Sequence, residues 1–205
     1  PYLSCGVPQL AQWNSLALYP GALIYLLLPL PWSLGLFCLA HWWIGGVGMF
    51  VLARRWTKSN FAASLAGVAF VFGGASLTSH IYPNYLVTFG WMPWVVWLSR
   101  RACREGGKTL VLAALAGAMQ MLSGAPELLL MTWALIAVLI ALDASYPSLK
   151  RQCFVQTTTR LISLVLLVAG ICAAALLPFF DLLALSQRAE DRKSTRLNSS
   201  HTDIS

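Results

Sequence analysis

Charge is what this sequence has little of. Only 10% of its 205 residues are Asp, Glu, Lys or Arg, against about 25% in a typical soluble domain. None occurs between Pro1 and Ala53. A fold bathed in water needs such residues over its surface, so a soluble globular domain is excluded. Cysteine spacing is also uninformative: Cys5, Cys38, Cys103, Cys153 and Cys172 form no CxxC pair. That excludes a disulfide framework or a zinc site as the organising device and marks them as small core hydrophobes. No glycine-rich loop follows a strand pattern, which removes a nucleotide cradle. The chain lacks an initiator Met and a basic stretch before its first apolar run, and it reads as a fragment that begins mid-sequence.

What is present is apolar. Hydrophobic residues make up 58% of the chain, the mean hydropathy is +0.69, and long apolar runs recur as far as Pro178. Runs of about 18 such residues suit a membrane-crossing helix. The expected fold is an all-α, polytopic membrane helix bundle. Its spans are expected at about 31–53, 60–77, 84–99, 109–123, 126–142 and 161–178, the third and fourth being short. GALIYLLL, between Pro20 and Pro29, is too short to cross and reads as an interfacial or re-entrant helix.

The final stretch differs. DRKSTRLNSSHTDIS resembles the translation of a sequencing adapter, so residues 191–205 are read as an artefactual or disordered tail and set aside. The partial membrane domain is then 1–190, with an outer segment at 1–30 and membrane helices at about 31–178. Dropping the tail's three basic and two acidic residues leaves 11 and 5, a net charge of +6. This surplus does not indicate nucleic acid, because apart from Arg188 it falls in short clusters between apolar spans. They are Arg54, Arg55 and Lys58; Arg100, Arg101, Arg104 and Lys108; and Lys150, Arg151 and Arg160. Positive loops stay cytoplasmic. The polar turns SLTSHIYPN and LSGAPE, like the N-terminal segment, contain no Lys or Arg and fall on the extracytoplasmic side.

That side collects the unusual side chains. Glu127 follows Pro126 in MLSGAPELLL, where it is either a first-turn helix residue favoured by the dipole or a carboxylate that orients substrate or moves a proton. His80 is either a loop imidazole or a group that binds phosphate or acts as acid or base. Asn84, Tyr82, Gln120, Asn14 and Gln9 are candidate substrate-binding residues on the same face. His41 reads as a packed, hydrogen-bonded helix residue, and Asp143 as a solvated one. Gly45, Gly46, Gly48, Gly67, Gly73 and Gly74 read as points of close helix approach.

PYLSCGVPQLAQWNSLALYPGALIYLLLP, LGLFCLAHWWIGGVGMFVLARR, FAASLAGVAFVFGGASLTSHIYPNYLVTFGWMPWVVW, MLSGAPELLL and LLPFFDLLALSQR together resemble the YfhO family of bacterial membrane proteins. That family looks like a branch of the GT-C membrane glycosyltransferases. The resemblance implies an enzyme in the bacterial cytoplasmic membrane. It would transfer a sugar from a polyprenyl-phosphate donor to a cell-envelope glycopolymer or lipid acceptor on the extracytoplasmic face. Glu127 and His80 are then candidates for chemistry. The main catalytic acid of such enzymes lies in the first outer loop, and the absence of any acid before Arg54 places it upstream of this fragment. Ala125 stands where relatives often have His. No metal ligand set is indicated, and a divalent metal is the one cofactor left open. A transporter or flippase for lipid-linked glycans, or a non-catalytic assembly protein, is the alternative. Nearly bare mid-span positions argue against a transport path.

Overall fold

The computed structural model describes Tyr2–Leu3, Val7–Pro8 and residues 12–144 and 151–185. Gln9 and the tail at 191–205 lie outside the described residues. Apart from a two-residue antiparallel ladder pairing Tyr2 with Pro8 and Leu3 with Val7, the described elements are helical. A 3-10 turn at Pro20–Leu23 passes into one α turn, α1 (Ile24–Leu27). Helix α2 (Trp32–Thr57) follows Pro31 and stops at Lys58, whose φ of 54° is left-handed. Ser59 caps α3 (Asn60–Phe72), its hydroxyl accepting from the Ala62 N–H at 3.4 Å.

Gly73 interrupts the apolar run, and α4 (Gly74–Ser79) resumes it. A Cβ at Gly73 would lie 2.7 Å from the Ala69 carbonyl oxygen, whereas one at Gly74 would meet nothing within 4 Å. These two glycines therefore make a break in the helix, not the close approach expected of them. Pro83 opens α5 (Pro83–Glu105), and Gly106 and Gly107 end it before α6 (Lys108–Met121). Pro126 opens α7 (Pro126–Ala144) in the position where its missing N–H costs nothing. Two further helices are α8 (Arg151–Ile171) and α9 (Ala173–Leu185).

Helix α5 is central and packs against α2, α6, α7 and α8. The α2 face that meets it and α3 is built from glycine. A Cβ on Gly46 would sit 2.8 Å from Val71 Cγ2, one on Gly67 2.9 Å from the Gly46 carbonyl oxygen, and one on Gly90 2.8 Å from the His41 carbonyl oxygen. A Cβ on Gly45 would lie 3.2 Å from Gly90 Cα, and Gly48 holds the Trp94 indole, which donates to the Ile44 carbonyl at 2.8 Å. Small residues let backbones approach closely where lipid supplies no hydrophobic drive between helices. Helix α6 uses Ala113, Ala114 and Ala118 for the same purpose against Leu164 and Val168 of α8.

Several polar side chains are enclosed beside the apolar core, and many large apolar ones stand on the outside. Thr88, Ser99, Gln120, Ser123 and Thr132 are fully enclosed, while Phe61 and Leu130 are 80% and 69% exposed. Burying a Leu or Phe is worth roughly 1.5–3 kcal/mol over leaving it in water, so these faces suit an apolar surrounding such as lipid. Among the described residues, three helical segments are long and apolar enough to cross a membrane: Trp32–Thr57, Asn60–Ser79 and Pro126–Asp143. A fourth forms if the bent α8–α9 pair counts as one span.

Two expectations are corrected here. The sixth span was expected as one segment at about 161–178, but within it the helices bend by 77° across Cys172. Asp143 was expected to be solvated, but it accepts from Arg100 at 2.8 Å and from Arg104 at 2.9 Å. With 14 residues, α6 reaches only about 21 Å. Helix α5 has the length, but its Trp, Tyr and Arg lower its hydropathy. Protein neighbours cover much of it, and Leu86, Val87, Val95 and Val96 are no more than 1% exposed. Cys38, Cys103 and Cys172 are buried free thiols, as their apolar settings suggested.

Candidate functional site

The turn between α6 and α7 gathers most of the sequence-predicted residues. Its Gly124 has φ +75°, a conformation that disfavours any side chain. A Cβ there would also lie 2.1 Å from the Trp13 carbonyl oxygen and 2.7 Å from Asn14 Cα. The 3-10 turn Trp13–Ser15 therefore rests directly on Gly124. The Trp13 indole fixes the contact by donating to the Met121 carbonyl at 2.7 Å.

From α5, the Asn84 side-chain amide donates to the Gly124 carbonyl over a long 3.5 Å. One position on, the Tyr85 hydroxyl donates to Glu127 Oε2 at 3.0 Å. Tyr82, which precedes α5, sets its ring 5.9 Å from that of Tyr85. Asn14, Asn84 and Glu127 thus meet at one junction, with Tyr82 beside it. Glu127 is exposed. Among the described residues its other oxygen, Oε1, has no partner, so the carboxylate keeps one acceptor free.

Below the junction lies a closed polar network. Gln120 Nε2 donates to the Thr88 carbonyl at 3.3 Å and to Thr132 Oγ1 at 2.9 Å. The Thr88 hydroxyl donates to the Asn84 carbonyl at 2.8 Å and also meets the Ser123 hydroxyl. Thr132 in turn donates to the Leu128 carbonyl at 2.7 Å. Gln120 is fully enclosed. It faces the helices that hold the junction in place instead of an open pocket, and among the described residues its Oε1 is unpartnered.

His80 is held elsewhere. It caps α4, and its ring stacks on Trp42 of α2 with centroids 5.2 Å apart. Trp42 also lines an apolar groove of about 460 Å³ between α2 and α3, with Trp43, Val47, Phe50, Val68 and Phe72. The structure shows no contact between His80 and Glu127.

His41 is buried and its hydrogen bonds are made, as its position in a span suggested. Its Nδ1 lies 2.7 Å from the Phe37 carbonyl oxygen, and Tyr19 Oη lies 2.7 Å from Nε2. A carbonyl only accepts, so Nδ1 carries the proton, and Tyr19 donates to Nε2 while accepting from Trp91 Nε1 at 2.9 Å. Burial holds the Tyr19 phenol above its ordinary pKa, which preserves it as a donor. The clip joins the N-terminal segment to α2 and α5.

No family model, curated protein or solved structure matches the chain. The site is therefore read from its own geometry. Among the described residues, no three His, Cys, Asp or Glu side chains gather as a metal-holding group. The sequence reading missed Tyr85, Thr88 and Ser123. Two of them carried a periodic signal: Thr88 is one helical turn beyond Asn84, and Ser123 stands three positions after Gln120. Tyr85 carried none, because its partner is 42 positions away.

Proposed function

We propose that the chain is part of a GT-C-like membrane glycosyltransferase of the bacterial cytoplasmic membrane, with about six spans and its Gly124 end on the extracytoplasmic side. The observation that carries this reading is the junction of Glu127, Tyr85, Asn84 and the Trp13–Ser15 turn. It offers a carboxylate with one oxygen held and one free, among neutral donors of the kind that bind sugar hydroxyls. The apolar groove beside Trp42 supports a donor with a long prenyl tail, and His80 stacks on the Trp42 that lines it.

In the reaction, an acceptor hydroxyl oxygen bonds to the anomeric carbon of the donor sugar. The bond from that carbon to the phosphate oxygen breaks, and polyprenyl phosphate leaves with the electron pair. The hydroxyl proton passes to a carboxylate. Glu127 Oε1 accepts from and aligns the acceptor hydroxyl, while Tyr85 fixes the other oxygen. Asn84 and Tyr82 contact the sugar, and His80 contacts the phosphate. Gln120 acts as a positioning residue by tying α5, α6 and α7 beneath the junction.

Membranes carrying the full-length protein, supplied with a radiolabelled polyprenyl-phosphate sugar and isolated envelope polymer, test the proposal. Transfer is expected, and Glu127→Gln should lower kcat by about 100-fold or more with insertion unchanged. Wild-type rates in Glu127→Gln would remove Glu127 from the mechanism. Movement of the donor across the bilayer without transfer would favour a transporter, and neither activity a scaffold.

A further inference from the structure

The opposite end of the bundle carries a second polar site. Where α2 ends beside the last turns of α5, a cavity of about 500 Å³ opens among Arg55, Arg100, Arg101 and Arg104. Two carboxylates balance part of this charge: Asp143 pairs with Arg100 and Arg104, and Glu105 with Arg101. Four guanidiniums against two carboxylates leave a local charge of +2. Among the described residues Arg55 has no ion-pair partner and lies over the Trp97 ring, 5.8 Å from its centroid.

The pairs also leave donors unused. Each guanidinium carries five N–H groups. Arg101 engages Glu105 through Nε alone, Arg104 reaches Asp143 through Nη2 alone, and Arg100 leaves Nη1 open. The remaining N–H groups have the fork geometry that grips phosphate oxygens in pairs.

The setting is that of a lipid headgroup. Trp56 and Trp97 line the cavity, and Trp56 is half exposed. Indoles favour the level where headgroups lie. Leu52 forms the wall toward the apolar span, and Phe61 stands 80% exposed near the start of α3. A phosphodiester seated on the arginines would have its acyl chains along these apolar faces.

We infer that this cavity is a binding site for the phosphate of an anionic phospholipid headgroup. Basic pockets between membrane helices recognise such lipids. The assignment does not rest on the reaction proposed at the Glu127 end.

Native mass spectrometry of the full chain in detergent, with phosphatidylglycerol, phosphatidylcholine or inorganic phosphate added, reads the site directly. Phosphatidylglycerol should bind roughly tenfold more tightly than phosphatidylcholine. The Arg55→Gln/Arg101→Gln pair removes two charges and should lose about thirtyfold of that affinity. Lys58→Gln/Lys108→Gln, which removes equal charge outside the cavity, should stay within about twofold. Equal losses in both pairs, or no loss in the arginine pair, would overturn a defined site.

If phosphatidylglycerol has no advantage and inorganic phosphate binds instead, the lipid assignment is overturned in favour of a soluble phosphate. Should the glutamine pair fail to fold, Arg55→Lys/Arg101→Lys carries the test. It keeps the charge and loses the fork, so selectivity should fall about threefold. Wild-type selectivity there would count against the inference.

Discussion

The two ends of this bundle solve the same problem by different means. At the Glu127 end, neutral donors, backbone carbonyls and one carboxylate are fitted together around a glycine turn. At the arginine end, guanidiniums and carboxylates meet across α5 and α7 with donors to spare. The first depends on shape, since one added methyl group at Gly124 would collide with Trp13. The second depends on charge and tolerates looser geometry. Shape-dependent sites should fail abruptly on substitution, and charge-dependent sites should change in proportion.

Gly124→Ala is expected to break the comparison most severely. A left-handed backbone costs an ordinary residue about 1–2 kcal/mol, and overpacking adds roughly 1–3 kcal/mol. Unfolding in detergent should show the combined loss, and Trp13 fluorescence should report release of the N-terminal turn. Gln120→Leu should come next. It strips the donor from the Thr88 carbonyl and from Thr132, a loss of about 1–2 kcal/mol within a membrane bundle, and removes an unpartnered carbonyl in partial compensation. A change at the Glu127 end equal to that of Gly124→Ala would show that the network, not the turn, holds the junction.

Asp143→Asn should alter stability by about 1 kcal/mol or less, since the pair is partly exposed. It raises the local charge to +3, so phosphatidylglycerol affinity should rise roughly fivefold, at about 1 kcal/mol per charge. The smallest effect belongs to Glu105. The hydrogen bond from Arg101 holds its carboxyl below the ordinary value of 4.5. Its contribution is therefore complete above that value and is lost as pH falls through the lowered one. Stability curves of wild type and Glu105→Gln should run parallel from pH 7 to pH 5 and converge only in more acid solution.

Much of the helical layout was legible because prolines and glycines mark ends in any setting: Pro83, Pro126 and the Gly106–Gly107 pair stand where helices start and stop. The bend at Cys172 was not, since LVLLVAGICAAALLPFF is apolar throughout and no periodicity registers a change of axis. Glu127 at the start of a helix was readable from Pro126. The depth of Gln120 was not, because one turn of helix separates a residue at the mouth of a turn from one enclosed beneath it. Asp143 looked isolated in the sequence only because Arg100 and Arg104 lie about 40 positions earlier. Sequence proximity shows caps and turns. It does not show which partners the packing of α5 against α7 will supply.

The clip of His41, Tyr19 and Trp91 sets an order for biogenesis. Tyr19 leaves the ribosome 72 residues before Trp91, and Trp13 leaves it 108 residues before the Met121 carbonyl it needs. The N-terminal segment can therefore take its final place only after α5 and α6 have been made and inserted. A nascent chain halted before Trp91 holds Tyr19 through the His41 hydrogen bond and the Phe37 ring, without the Trp91 donor. The segment that holds Trp13 and Tyr19 is thus completed only after the helices that follow it.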